Sequence, residues 1–357
     1  MNEIDNSRNY GIDLLRMVSM IMVVTLHILG HGGVLGSSVY LSNSYNTAWL
    51  METMAYCAIN CFVIISGYVG VDRQYNLKSI FSLWTQVLFY SVGITFIIGL
   101  WNPKFLNITV ILKAFLPVTT EQYWFFNSYV GLYLFMPFLN SAINTMERNK
   151  LGKYVLCLVL GISVYSTIIH TDVFKTNWGY STIWFIVLYV VGAYLKKCRE
   201  YRTYSNKVCL FVYFIMIFLS WFAKLFAEFF WYYVKHSTLN GNLLINYVSP
   251  TILLAAVALV KLFSRLKIKG FAITVVKKLS PAAFGVYLIH DHSIFREVFI
   301  TDRFQQFSSY PTLMLIISVV FVVLIVYFSC SLIDLARKMI FDKLSIIIVK
   351  TRLLLNK

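Results

Sequence analysis

Four ionisable side chains, Asp13, Arg16, His27 and His31, fall inside the first long apolar run of the chain, Tyr10 to Gly33. Arg16 and His27 are eleven positions apart. At 100° per residue that separation returns them to within about 20° of one helix face. At ~1.5 Å rise per residue, His27 stands roughly 16 Å deeper than Arg16. Asp13 lies one turn before Arg16 and His31 one turn after His27. An imidazole at such a depth can act as general base on a hydroxyl. A guanidinium near the surface binds oxyanions through its planar fork, although an arginine at a helix end also snorkels or balances a neighbouring carboxylate. Ionisable groups inside a membrane are costly and face a cavity or pathway by default.

Other residues extend this list. Arg73 and Lys78 follow the second apolar segment and can complete an anion site beside Arg16, or serve only as a basic loop. Glu121, Gln122, Tyr123, Trp124 and Asn127 open the fourth segment. Aromatics there suit an interfacial belt, and with their polar neighbours they also suit stacking on a sugar ring. In the ninth segment, His290 and Asp291 are candidates to line a cavity, while alternate His290 and His292 point apart and do not share a metal. Lys224 and Glu228, four apart, read as a structural pair. Cys57 and Cys61 share a helix face, but no second ligand pair completes a metal site, so no metal is expected.

The elements that position these groups are membrane helices. Hydrophobic residues make up 59% of the 357 and charged residues 13%, with mean hydropathy +0.71. Soluble domains carry about a quarter charged residues, so the chain reads as an all-α polytopic membrane protein. It is expected to be one domain over 1–357, with a short basic tail at 336–357. Ten apolar segments stand near 11–33, 47–70, 79–101, 123–145, 154–171, 181–195, 208–232, 246–263, 281–299 and 311–335. A further apolar stretch at 106–118 fits the interface. The first run is too long for a signal peptide's apolar region and lacks a small-residue cleavage site, so it is expected to be retained. Of the 31 lysines and arginines, all but Lys104, Lys113, Lys175, Lys224, Lys235, Arg296 and Arg303 fall in alternate loops. The positive-inside rule therefore predicts about ten spans with both termini cytoplasmic. A formal net charge of +16 is ordinary for basic membrane loops and does not point to nucleic acid.

Several motifs, taken together, carry a resemblance. They are Ile12-Asp13-Leu14-Leu15-Arg16 with His27 beyond it, and Asn60-Cys61-Phe62-Val63-Ile64-Ile65-Ser66-Gly67-Tyr68. Further along stand Gln122-Tyr123-Trp124-Phe125, Trp184-Phe185 through Gly192-Ala193-Tyr194-Leu195, and Gly285-Val286-Tyr287-Leu288-Ile289-His290. In this order and over nearly the whole chain they resemble the acyltransferase-3 family of integral-membrane O-acyltransferases. The likeness is greatest to compact members found with Gram-positive surface polysaccharides, which lack an appended hydrolase-like domain. The resemblance implies that Arg16 and His27 are the essential pair of the first helix, with His27 the catalytic base; Asp13, one turn before Arg16 on the same stripe, is counted with them as a candidate catalytic residue. It also implies an acyl-CoA site at Arg16, Arg73 and Lys78; many members carry closely spaced arginines where this chain has the last two. Acetyl-CoA is then the expected co-substrate, with no resident cofactor. A cell-surface glycan is the expected acceptor, and a bacterial plasma membrane the expected location. Transfer would finish within the membrane unit. A covalent acyl-histidine step, a succinyl donor and a homo-oligomer are equally compatible with the sequence. A polysaccharide transporter or flippase is the rival reading: it explains the spans but not the Arg16–His27 spacing.

Overall fold

The computed structural model describes residues 8–198 and 205–355, the side chains of 344–355 excepted. The basic residues Arg199, Arg202 and Lys357, and the side chains of Lys350 and Arg352, lie outside that description. Among the described residues the chain is helical, with no strand. The α-helices are α1 (Tyr10–Leu29), α2 (Val34–Ser37), α3 (Asn43–Ala55), α4 (Ala58–Gly70) and α5 (Leu77–Trp101). They continue with α6 (Ile108–Phe115), α7 (Trp124–Thr145), α8 (Arg148–Leu158), α9 (Tyr165–Ile168) and α10 (Thr182–Lys197). The remainder are α11 (Asn206–Lys235), α12 (Pro250–Arg265), α13 (Phe271–Leu279), α14 (Ala283–His290), α15 (Ser293–Phe299) and α16 (Thr312–Leu355).

Every apolar segment read from the sequence is helical, and the chain is a multi-pass membrane protein. Among the described residues, seven spans are long and apolar enough to cross a membrane: Tyr10–Ser37, Asn43–Gly70, Leu77–Trp101, Arg148–Ile168, Asn206–Lys235, Phe271–His290 and Thr312–Lys343. The other three segments are α7, α10 and α12. Helices α10 and α12 have 16 residues each; at ~1.5 Å per residue they reach about 24 Å, short of a 30 Å hydrocarbon core. Helix α7 has 22 residues but carries Asn127, Asn140, Asn144 and an internal Pro137.

Three boundaries differ from the sequence reading, each for a local reason. The second segment is broken at Tyr56–Cys57 between α3 and α4. The ninth begins ten residues early, at Phe271, and breaks after His290, because His292 leaves helical geometry (φ −57, ψ 129) to cap α15. The last helix does not stop at 335. It runs on to Leu355, since no proline or glycine follows Pro311 to end it.

Helices α1 and α3–α4 form the centre, with 61% and 67% of an apolar 18-residue stretch of each span buried, whereas the corresponding stretches of α11 and α16 bury only 28% and face outward. Lipid offers no hydrophobic drive between helices, so close backbone approach and buried polar contacts hold the bundle together. At the α4–α10 crossing, a Cβ on Gly67 would stand 2.0 Å from the Tyr189 carbonyl oxygen. One on Gly192 would stand 2.1 Å from that of Ile64. Two of the recognised motifs are thus the two halves of one helix contact. Asn60 ties three segments: its Nδ2 donates to the Tyr247 carbonyl at 2.8 Å, and its Oδ1 accepts from Trp184 Nε1 at 3.1 Å. Lys224 and Glu228 form a fully buried ion pair, which Tyr45 joins through its hydroxyl.

Several contacts join segments that the sequence reading places on the same side. At one end Asn9 donates to the Ser264 carbonyl at 2.9 Å, Lys196 meets Asp72 at 3.9 Å, and Lys197 donates to the carbonyls of Ile143 and Met146. At the other, the Asp302 amide donates to the His31 carbonyl at 2.9 Å and Tyr40 to the Leu239 carbonyl at 3.2 Å. Cysteines introduced near Arg148, Lys197 and Lys267 are therefore expected to be shielded from an impermeant thiol reagent applied outside intact cells. Those near Asn43, Lys175 and Asp302 should label. Labelling at Lys267 would reverse the orientation.

Candidate active site

Helix α1 is the axis of the site. Its start is set by Asn9, whose side chain accepts from the Ile12 amide at 3.1 Å. Its far end is gripped by the loop after α15, where the amides of Asp302 and Phe304 donate to the carbonyls of His31 and Gly32, both at 2.9 Å. Arg16 and His27 project from the two halves of this helix into different environments.

At the Arg16 end, Asp13 is buried and receives two guanidinium groups, Arg16 at 2.7 Å and Arg8 at 2.5 Å. Arg16 commits one terminal nitrogen to Asp13 and remains one-third exposed, so part of its fork is free for an anion. Asp13 stands ~21 Å along the helix from His27. It holds Arg16 and cannot meet the atoms that His27 meets. Arg73 is exposed but near enough to act electrostatically on Arg16. Lys78 sits exposed on the first turn of α5 and does not line the cavity described next.

A cavity of about 400 Å³ opens at this end, with Arg8, Asp13 and Arg16 among its lining residues. Phe62 and Ser66 supply part of the wall, and Met20, Val23 and Tyr287 also line it. Val23 lies one turn before His27, and the Tyr287 ring lies 6.5 Å from that of His290. The cavity therefore runs alongside α1 from the arginine towards the histidines.

At the inner end of that path the imidazoles gather. The His27 ring centroid is 4.9 Å from that of His290 and 5.1 Å from that of His31. His27 Nδ1 faces the buried carboxylate of Asp291 at 3.7 Å, which leaves Nε2 for an incoming hydroxyl. Arg296 holds the same carboxylate oxygen at 2.6 Å. The break in the ninth segment creates this geometry: Asp291 closes α14, His292 caps α15, and the reversal carries Arg296 back onto Asp291. His290 Nδ1 sits 2.6 Å from the Val286 carbonyl and donates to it, so Nε2 carries a lone pair with no partner among the described residues. His292 turns away, with Nε2 3.3 Å from the Thr95 hydroxyl and 3.2 Å from the Ser91 carbonyl. Arrangements of this kind, a histidine facing a buried carboxylate beside a cavity, suit proton transfer to and from an oxygen.

The residues opening α7 are placed nearby but are mostly occupied. The Tyr123 hydroxyl donates to the Leu288 carbonyl at 2.9 Å, fixing α7 against α14. Gln122 Oε1 accepts from the Ser91 hydroxyl at 2.8 Å, and Asn127 Nδ2 donates to the Val118 carbonyl at 2.9 Å. Glu121 is exposed, at a positive φ of 53°. Trp124 alone joins an open aromatic group, its ring 4.5 Å from that of Tyr180. Arg296 was not singled out from sequence, although it belongs to the minority of basic residues that depart from the loop asymmetry. A cation on that side is explained by the carboxylate it holds.

Comparison with known proteins adds one finding. The acyltransferase domain family matches residues 9–333, nearly the whole described chain. No curated protein and no solved structure matches it.

Proposed function

Because the chain belongs to the acyltransferase domain family, and is thus a membrane acyltransferase, we propose that it transfers an acetyl group from acetyl-CoA to a hydroxyl of a cell-surface glycan. The observation that carries this reading is the cavity leading from Arg16 towards the His27–Asp291–His290 cluster. Acetyl-CoA enters from the cytoplasmic face of a bacterial plasma membrane, with a phosphate on the free part of Arg16 and with Arg73 adding long-range attraction. Its pantetheine arm follows the apolar cavity wall and brings the thioester to the histidines. The glycan hydroxyl approaches from the opposite face. His27 Nε2 takes its proton as the oxygen attacks the thioester carbonyl, and Asp291 steadies the imidazolium that results. Collapse of the tetrahedral intermediate breaks the carbon–sulfur bond, and the proton passes from His27 to the departing thiolate. The products are an O-acetylated sugar and free CoA.

In cells, deletion of the protein should remove the O-acetyl resonances from the NMR spectrum of the surface glycan, and re-expression should restore them. An unchanged acetyl content in the deleted strain would contradict the assignment.

The donor site makes its own prediction. Hydrogen bonds to charged groups contribute about 1.5–3 kcal/mol, so Arg16→Ala should weaken acetyl-CoA binding roughly 10- to 100-fold. Arg16→Lys should fall between it and wild type, because a point charge does not reproduce the fork. Calorimetry in detergent reads both. Wild-type affinity in the two variants would move the donor elsewhere.

A further inference from the structure

One buried acid lies outside everything described so far. Glu52, on α3, is 92% buried by its 8% exposure. Its Oε2 is enclosed and meets no hydrogen-bond donor among the described residues. Glu228, which is fully buried, has Lys224, Tyr45 and the Gly241 amide. An enclosed carboxyl group without a donor is costly, and its persistence calls for a partner that arrives from outside.

The surroundings say what that partner is like. Glu52 lies on the last turn of α3, four residues before Tyr56, whose ring packs with those of Tyr180 and Tyr247. These rings pack as a group with Trp124: Tyr56–Tyr247 at 4.9 Å, Tyr180–Tyr247 at 5.0 Å, Trp124–Tyr180 at 4.5 Å, and Trp124 stacked over Tyr247 at 6.2 Å. The group is open to the outside at Tyr180, which is 41% exposed. The loop carrying Tyr180 is built to hold it there. Gly179, at φ +104°, leaves no room for a Cβ, which would fall 2.3 Å from that of Tyr247. Asp172 caps the same loop through Thr176 and the Asn177 amide.

The rings also lead to the histidines. Trp124 touches Phe125 at 5.9 Å, Phe125 meets Tyr287 at 5.8 Å, and Tyr287 meets His290 at 6.5 Å, which lies against His27. The tyrosine group sits at the end of the bundle opposite Arg16, since α7 and α10 both start there and both end beside Lys197.

We infer that Glu52 and the rings of Tyr56, Trp124, Tyr180 and Tyr247 form the subsite that seats a pyranose ring of the acceptor. The sugar stacks an apolar face on the aromatics and donates an O–H or N–H to Glu52. This rests on the acceptor side of the proposed reaction and extends it to residues that touch no reacting atom. Aromatic faces match the axial C–H faces of a sugar, and a lone acidic acceptor matches its rim of donors.

The test is direct binding. Oligosaccharides released by mild acid from the surface glycan of the producing cells are titrated by calorimetry into purified full-length protein in detergent. Acetyl transfer to the same oligosaccharides is followed in parallel. Glu52→Leu should weaken binding at least about tenfold. Tyr180→Ala, at an exposed position, should weaken it roughly 3- to 10-fold. Both should retain wild-type melting temperatures, and Glu52→Leu should melt no lower, since it removes an unpartnered acid. Unchanged binding in both variants would overturn the subsite, as would Glu52→Leu that melts lower while Tyr180→Ala binds normally, because Glu52 would then be structural. Binding by wild type without any acetyl transfer would leave the subsite standing and defeat the proposed reaction. Transfer by both variants with unchanged KM for the oligosaccharide would do the reverse. No binding by wild type would defeat the subsite outright.

Discussion

His27→Gln is expected to insert, fold and elute like the wild-type protein while transferring acetyl groups at least about 100-fold more slowly. General-base assistance is typically worth 10²–10⁴-fold, and glutamine can hydrogen-bond but cannot carry the proton. The side chain is mostly enclosed, with 15% exposure, yet its Nδ1 makes no hydrogen bond within the normal range: the Asp291 oxygen is 3.7 Å away. A histidine retained for structure would be tied more closely, and glutamine would serve in its place. His27→Ala should show the same loss of rate, because the function removed is the same. His290→Gln is the informative companion. It keeps the ring neighbour's bulk near His27 but loses the lone pair of Nε2, and a loss of comparable size would make the base a pair of imidazoles.

Asp291→Asn is expected to lower the rate about 100-fold with the affinity for acetyl-CoA unchanged. The carboxylate lies between Arg296 at 2.6 Å and His27 at 3.7 Å. It therefore offsets the charge His27 gains during transfer. Loss of an orienting carboxylate in a serine protease costs about 10⁴-fold; the longer separation here sets a smaller expectation. Calorimetry with acetyl-CoA separates the outcomes. A fall in donor affinity would mean that the substitution had disturbed the Arg16 end, about 16 Å away along α1, and Asp291 would then be a packing residue.

How much of this was readable from the chain follows from where the signals lie. The Arg16–His27 stripe is local to one helix, and helical periodicity alone places both side chains on one face. The all-α character and the alternation of basic loops are likewise properties of composition. The break after His290 was not legible, because residues 281–299 read as an unbroken apolar run; it is a capping histidine that turns the chain. The extension of α16 past 335 went unread because hydropathy falls there while helix propensity does not. Arg296 reaches Asp291 only through that turn. Glu52 is the clearest case: its sequence neighbours, Met51 and Thr53, give no hint of chemistry. Tyr56 lies four residues on, but its other companions come from three distant parts of the chain, and only packing brings them together. At 121–127, polar side chains beside aromatics suited either an interfacial belt or a binding face. Most of them are engaged in joining α7 to its neighbours.

The central claim is that the path from Arg16 to His27 carries an acetyl group across the membrane to a glycan. Purified protein reconstituted in vesicles with its Arg16 end inward, loaded with acetyl-CoA labelled in the acetyl group, tests it most directly. Extracted surface glycan is supplied outside only. The expected result is label on the external glycan, released as acetate by mild alkali, with free CoA appearing inside in equal amount and neither formed by His27→Gln. Consumption of internal acetyl-CoA without label on the glycan, or label transferred equally well by His27→Gln, would contradict it.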